Sequence, residues 1–133
     1  MKSPRPLSTP LLIACLAIVA SGCKHHFAEA PADADQAQAQ AQQAFDEATR
    51  SYEAGDYAAA EEQFLTPKLW SVDSPLQVQA LKYLAFSYCV TERPNQCRFA
   101  FERAVQINPS FRLERAEAGH PLWGPVFEEV VGR

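Results

Sequence analysis

Ala41, Ala44, Phe45, Ala48 and Tyr52 recur at spacings of three and four, which places them on one face of a helix. Gly55-Asp56 breaks that pattern and predicts a tight turn. Tyr57, Ala60, Phe64 and Leu65 then mark a second helix, and Leu81, Leu84, Ala85 and Tyr88 a third. Ser74-Pro75 is the expected start of the third, with Ser74 as cap and Pro75 in the first turn. Arg93-Pro94-Asn95 interrupts, and Cys97, Phe101, Ala104 and Val105 mark a fourth helix that stops at Asn108-Pro109. Apart from a Gln/Ala run at 36–43, whose residues favour helix, no stretch alternates strictly between apolar and polar positions as a half-buried strand would. The pattern therefore predicts an all-α fold of helical hairpins.

Both flanks depart from this regularity. Glu117-Ala118-Gly119-His120-Pro121 does not continue an ordinary helix, and a last short one is expected over 126–131, opened by Pro125, with Phe127 and Val131 facing inward. Leu122 and Trp123 are expected to pack on the preceding helices and close the open end. Ahead of the first hairpin, Gln36 to Gln43 alternates Gln with Ala, both good helix formers, and reads as a fraying helix start with Asp33 or Asp35 as cap. Residues 23–35 read as a flexible tether, and 36–133 as one helical domain.

The first residues carry a different pattern. Lys2 and Arg5 give a basic start, Leu11 to Ala20 is an uncharged apolar run, and Ala20-Ser21-Gly22-Cys23 follows. A basic start, about ten apolar residues and a small-residue cleavage site make an export signal. The run is too short for a membrane span, which takes about 20 apolar residues. With Cys23 directly after the small residues, the segment resembles the lipobox of bacterial lipoproteins, although Ala20 stands where a large aliphatic residue is usual. Leu12-Ile13-Ala14-Cys15 fits a looser version, but too little apolar sequence precedes it. The resemblance implies that residues 1–22 are a signal peptide, that the mature chain starts at Cys23, and that Cys23 carries diacylglycerol and an N-acyl (palmitate-type) chain. Each buried CH₂ contributes about 0.8 kcal/mol, and three chains anchor firmly. Lys24, in place of the Asp that retains many such proteins at the inner membrane, leans toward the outer membrane facing the periplasm.

About 110 residues then remain, enough for one modest core. The net charge of −4 and pI of about 5.3 leave no basic footprint for nucleic acid. Of the four cysteines, Cys89 and Cys97 remain as a pair in an oxidising compartment, where pairs usually form disulfides. They flank the Arg93-Pro94 turn, where antiparallel helices bring Cα atoms into disulfide range. The other reading is two reduced thiols packed as small apolar residues.

The two hairpins invite a repeat test. Aligning Ala60 with Cys97 and Phe64 with Phe101 sets an offset of 37 residues. Leu81, Leu84, Ala85, Tyr88, Cys97, Phe101, Ala104 and Pro109 then resemble the tetratricopeptide repeat, in which small residues admit close helix approach and aromatics fill the gaps. The earlier copy keeps Ala48, the Gly55-Asp56-Tyr57 turn, Ala60 and Phe64, and its end is stretched by Thr66-Pro67-Lys68-Leu69-Trp70. Tyr83 to Val90, Arg93, Gln96-Cys97-Arg98, Phe101 to Ala104, Pro109-Ser110-Phe111 and Gly119 to Phe127 also resemble the small repeat-bearing lipoproteins associated with type VI secretion systems. This covers under half of the chain.

Candidate chemistry is sparse. His25 and His26 sit side by side on the tether and His120 lacks a second ligand at helical spacing, so no metal or other cofactor is expected beyond the lipid on Cys23. Glu61-Glu62 and Glu128-Glu129 read as solvated helix faces, and no catalytic residues are expected. His120, between Gly119 and Pro121, is expected to hydrogen-bond the closing segment. The concave groove of the repeat is the better candidate, lined by Phe45, Thr49 and Tyr52 in the earlier copy and by Lys82, Tyr83 and Phe86 in the later one. Aromatic anchors with polar neighbours suit a peptide or helix ligand. Packing of Phe45 and Phe86 against the chain's own N-terminal helix or closing segment is the competing expectation.

The resemblances together imply a non-catalytic adaptor for protein–protein interaction, lipid-anchored to the outer membrane, with a secretion-machine component as partner. Roles in outer-membrane assembly or cell-wall maintenance, as an enzyme accessory subunit, or as a purely structural envelope protein are the alternatives.

Overall fold

The computed structural model describes residues 31–132. Its helices are α1 (Pro31–Glu53), α2 (Tyr57–Phe64), α3 (Pro67–Trp70), α4 (Ser74–Val90), α5 (Pro94–Ile107), α6 (Arg115–Ala118) and α7 (Gly124–Val131). Among the described residues there is no strand, and the chain is all-α as its periodicity predicts. Residues 1–30, with the expected signal peptide, Cys23 and the first part of the expected tether, lie outside the described residues.

The helix begins earlier than the composition suggested. Residues 31–35, assigned above to the tether, form the first turn of α1. Pro31 opens it at no hydrogen-bond cost, alanine favours it, and Asp33 in the first turn complements the helix dipole.

Two turns of one design fold the chain into hairpins. After α1, Gly55 donates to the Tyr52 carbonyl (2.9 Å) and Asp56 to that of Ser51 (3.0 Å). After α4, Glu92 donates to Cys89 (3.3 Å) and Arg93 to Tyr88 (2.8 Å). Both are Schellman closures, whose pivot residue must adopt the left-handed conformation. Gly55 does so at φ 79° and Glu92 at φ 61°, and the two pivots stand 37 residues apart. Glycine visits this region freely, whereas any side chain pays a steric penalty there. Glu92→Gly is therefore expected to stabilise the domain by about 0.5–1 kcal/mol, read as a rise in the thermal midpoint.

The same interval runs through the core. Ala41 and Val78, Ala48 and Ala85, Ala60 and Cys97, and Phe64 and Phe101 are buried pairs, each separated by 37 residues. Small residues at the second and third of these pairs let α1 approach α2 and α4 approach α5, while the two phenylalanines fill the space behind. Helix α2 in turn packs on α4 and joins the hairpins into one core.

The interval is longer than the 34 residues of the tetratricopeptide repeat that the sequence resembles, and the segment after α2 supplies the extra length. Helix α2 stops at Phe64, so Leu65, expected inside it, becomes the C-cap and is 53% exposed. Pro67 then starts the single turn α3, which buries Leu69. Trp70 Nε1 donates to the Phe64 carbonyl (3.2 Å), and Gln77 Nε2 donates to the carbonyls of Trp70 (3.3 Å) and Val72 (2.8 Å). The cap of α4 falls one residue earlier than expected. Asp73 is the N-cap, without a side-chain bond, and Ser74 opens the helix ahead of Pro75.

The C-terminal segment closes the array. Phe127 on α7 meets Phe101 (ring centroids 5.1 Å) and Phe111 (5.6 Å), and Arg98 on α5 pairs with Glu129 (3.5 Å). Trp123 is buried as expected. Leu122 and Val131, expected to pack inward, are 50% and 37% exposed. Trp123 takes the inward position in the turn, and Val130, three residues after the buried Phe127, packs against the core in place of Val131. Gly124 sits so close to α6 that an added Cβ would lie 2.3 Å from the Ala118 carbonyl oxygen. Backbone cannot yield as a flexible side chain does, so Gly124→Ala is expected to cost about 1–3 kcal/mol. Faster amide exchange confined to residues 115–131 is its expected signature.

A candidate partner-binding face

Helix α1 contributes Phe45, Thr49 and Tyr52 to one face of the paired hairpins, and α4 contributes Lys82, Tyr83 and Phe86. Helical spacing within each segment puts these residues on one side. The fold brings all but Thr49 into one aromatic assembly. Tyr83 is its centre, with ring centroids 5.8 Å from Phe45, 5.1 Å from Tyr52, 6.0 Å from Phe86 and 5.5 Å from Phe64. Edge-to-face and offset rings of this kind add about 0.5–1.5 kcal/mol per pair beyond simple burial. Thr49 donates from Oγ1 to the Phe45 carbonyl (2.9 Å) and is half-buried.

The two halves of the face differ in access. Phe45, Thr49, Tyr52 and Tyr83 remain partly exposed. Phe86 and Lys82 are buried, which removes them from the surface on which a partner was expected to dock. The cause is the chain's own C-terminal segment. Trp123 stacks on Phe86 with centroids 4.2 Å apart, and His120 stacks in turn on Trp123 at 3.3 Å. Lys82 Nζ donates to Glu117 Oε1 at 2.6 Å and also lies 5.1 Å from the Tyr83 ring centroid. Of the two competing expectations for Phe86, packing on the closing segment is the one the structure adopts.

Glu117 is the residue that sequence reasoning missed. Its carboxylate also accepts from the Glu114 backbone amide (3.0 Å), and its carbonyl accepts from Trp123 Nε1 (2.8 Å). One residue thus ties α4, the start of α6 and the Trp123 turn together. A signal for it existed: Lys82 interrupts the otherwise apolar Ala80-Leu81-Lys82-Tyr83-Leu84 run, and a buried ammonium requires a carboxylate partner. His120 contributes as expected, with Nδ1 accepting from the Leu122 amide at 3.3 Å.

Burial pushes the Tyr52 hydroxyl from about 10 up to about 12, with Tyr57, Tyr83 and Glu117 adding to the shift. The raised value means that folding favours the neutral phenol. This contribution to stability is fully present below pH 10 and is lost as pH rises toward 12. Titration of phenolate absorbance is expected to lose a late-titrating tyrosine in Tyr52→Phe, while Tyr88, which burial and Glu61 also raise, still titrates late.

Cys89 and Cys97 lie on either side of the second turn with sulfurs 2.09 Å and Cα atoms 5.2 Å apart, which is disulfide distance. Among the described residues no three histidine, cysteine or acidic side chains gather where they could hold a metal ion, and no helix is long and apolar enough to cross a membrane. His25, His26 and Cys23 lie outside the described residues. Glu61, read above as solvated, is drawn from solvent by Arg93, whose guanidinium pairs with it and lies over the Tyr88 ring (4.7 Å). No family model, curated protein or solved structure matches this chain.

Proposed function

We propose that this protein is a non-catalytic adaptor of the bacterial envelope, tethered by lipid at Cys23 to the periplasmic face of the outer membrane, and that its hairpin pair captures a protein partner. The observation that carries this reading is the 37-residue recurrence of turn pivots and buried positions. A tetratricopeptide-like hairpin array is a scaffold for binding rather than for chemistry, and its concave side is the customary docking surface. The half-open patch of Phe45, Thr49, Tyr52 and Tyr83 offers aromatic anchors beside a hydroxyl. A cysteine pair at disulfide distance agrees with an oxidising compartment. Membrane confinement raises effective concentration, so a weak groove suffices. By resemblance, the partner is a component of an envelope-spanning secretion machine of the type VI class.

The test has two arms. Labelled palmitate is expected in the wild-type protein and absent from Cys23→Ser. In-cell crosslinking and purification from membranes are expected to recover secretion-machine components, and Thr49→Arg, which sets a charged group on the open half of the face without removing an aromatic contact, is expected to lose them. Lipid label without Cys23 dependence removes the anchor. Equal recovery of every partner by Thr49→Arg removes the groove.

A further inference from the structure

The opposite face of α4 carries a second feature, independent of the concave groove. Leu81, Leu84 and Tyr88 point away from Tyr83 and Phe86 by half a helical turn and form the floor of a crevice of about 210 Å³. Leu65 after α2 and Phe99 on α5 stand at its rim, 53% and 64% exposed. The crevice exists because α2 is 8 residues long against 14 for α5, and the chain turns off into α3 where a longer helix would have covered this face. Large apolar side chains left exposed around a pocket are unfavourable unless something covers them.

The electrostatics select the occupant. Arg103 is the charged residue lining the crevice. Its Nη1 donates to Gln106 Oε1 (2.9 Å), an amide, and among the described residues no carboxylate pairs with it. The other nearby guanidinium, Arg93, is already neutralised by Glu61. The site therefore presents an apolar socket beside one uncompensated positive charge. A second copy of this chain docked about a two-fold axis would bring its own Arg103 to the same face, and like charges opposed across an interface are disfavoured.

We infer that this crevice is a docking site for an amphipathic segment of another protein, in which a large apolar side chain fills the socket and an acidic side chain one helical turn away pairs with Arg103. Leu, Phe or Met suits the volume, and a helix laid along α5 supplies the spacing. Docking here leaves the concave face free, so the protein can hold two partners at once.

The experiment uses the full chain in lipid nanodiscs and two fluorescent pools of helix-forming peptides. The pools share apolar residues at spacings of three and four, are randomised elsewhere, and differ only in carrying glutamate or lysine beside the apolar stripe. Anisotropy is expected to show the glutamate pool binding about fivefold more tightly than the lysine pool, the effect of about one kcal/mol of ion pairing. Arg103→Glu is expected to reverse that preference, and Phe99→Ala, at an exposed position outside the core, to weaken both pools. Thr49→Arg is expected to leave peptide binding intact, which separates this site from the concave face. Equal binding of the two pools, binding of neither, or an Arg103→Glu variant with the wild-type preference overturns the inference. So does a dimer in sedimentation that Phe99→Ala dissolves, because the occupant is then a second copy.

Discussion

Phe101→Ala is expected to destabilise the helical domain by about 3–5 kcal/mol, the largest effect of any single substitution considered. Phe101 has no solvent exposure, and its ring meets Phe86 at 6.1 Å and Phe127 at 5.1 Å. It therefore joins three parts of the fold: α4, its own helix α5, and the closing helix α7. Truncation removes the transfer free energy of the ring and leaves a cavity that three elements would have to move to fill. A small domain has about 5–15 kcal/mol of stability in total, so the variant should lie near the edge of folding. Chemical denaturation followed by circular dichroism measures the loss. A cost below about 1 kcal/mol would mean that α7 and α4 collapse onto the vacated space, and that the closing helix is not seated through this ring.

The second large effect is expected at the cysteine pair. Cys89 and Cys97 close a loop of only nine residues, since they are 8 apart in sequence. The chain-entropy model then assigns the link about 2–3 kcal/mol, acting mainly on the unfolded chain. Reduction of the wild-type protein and the Cys89→Ala/Cys97→Ala variant should lower the denaturation midpoint by comparable amounts. The variant loses somewhat more, because Cys97 is fully buried where helices approach closely and alanine is smaller. Amide exchange should quicken first at residues 88–97. If reduction leaves the midpoint unchanged, the α4–α5 turn is held by its Schellman bonds and by Arg93 with Glu61 alone.

Much of the hairpin layout was legible in local pattern. Gly55-Asp56 and Arg93-Pro94 announced the turns, and Ala60, Phe64, Cys97 and Phe101 announced the inner faces, because turn chemistry and helical period are properties of neighbouring residues. The misplacements were likewise local. The start of α1 moved by a few residues, since alanine-rich sequence with an early proline suits both a linker and a helix start, and the cap of α4 moved by one, within the ordinary variation of a helix end.

The face expected to bind a partner divides along the same line. That Phe45, Thr49, Tyr52, Lys82, Tyr83 and Phe86 share a side follows from helical spacing within two short segments. Which of them stays open does not, because it is settled by residues far along the chain. Lys82 and Glu117 stand 35 residues apart, and their meeting depends on the Trp123 turn folding back over Phe86. The crevice at Arg103 likewise belongs to no segment, as its walls come from the end of α2, α3, α4 and α5.

The sequence by itself determined where helices start, turn and present their apolar sides, because those choices are made by each residue's backbone preference and by its neighbours three and four positions away. Only the tertiary structure decided which apolar surfaces are used up internally and which are left to a partner. Burial is a competition among all surfaces of the chain at once, and Trp123, Glu117 and the single turn α3 settle it from outside the segments they affect.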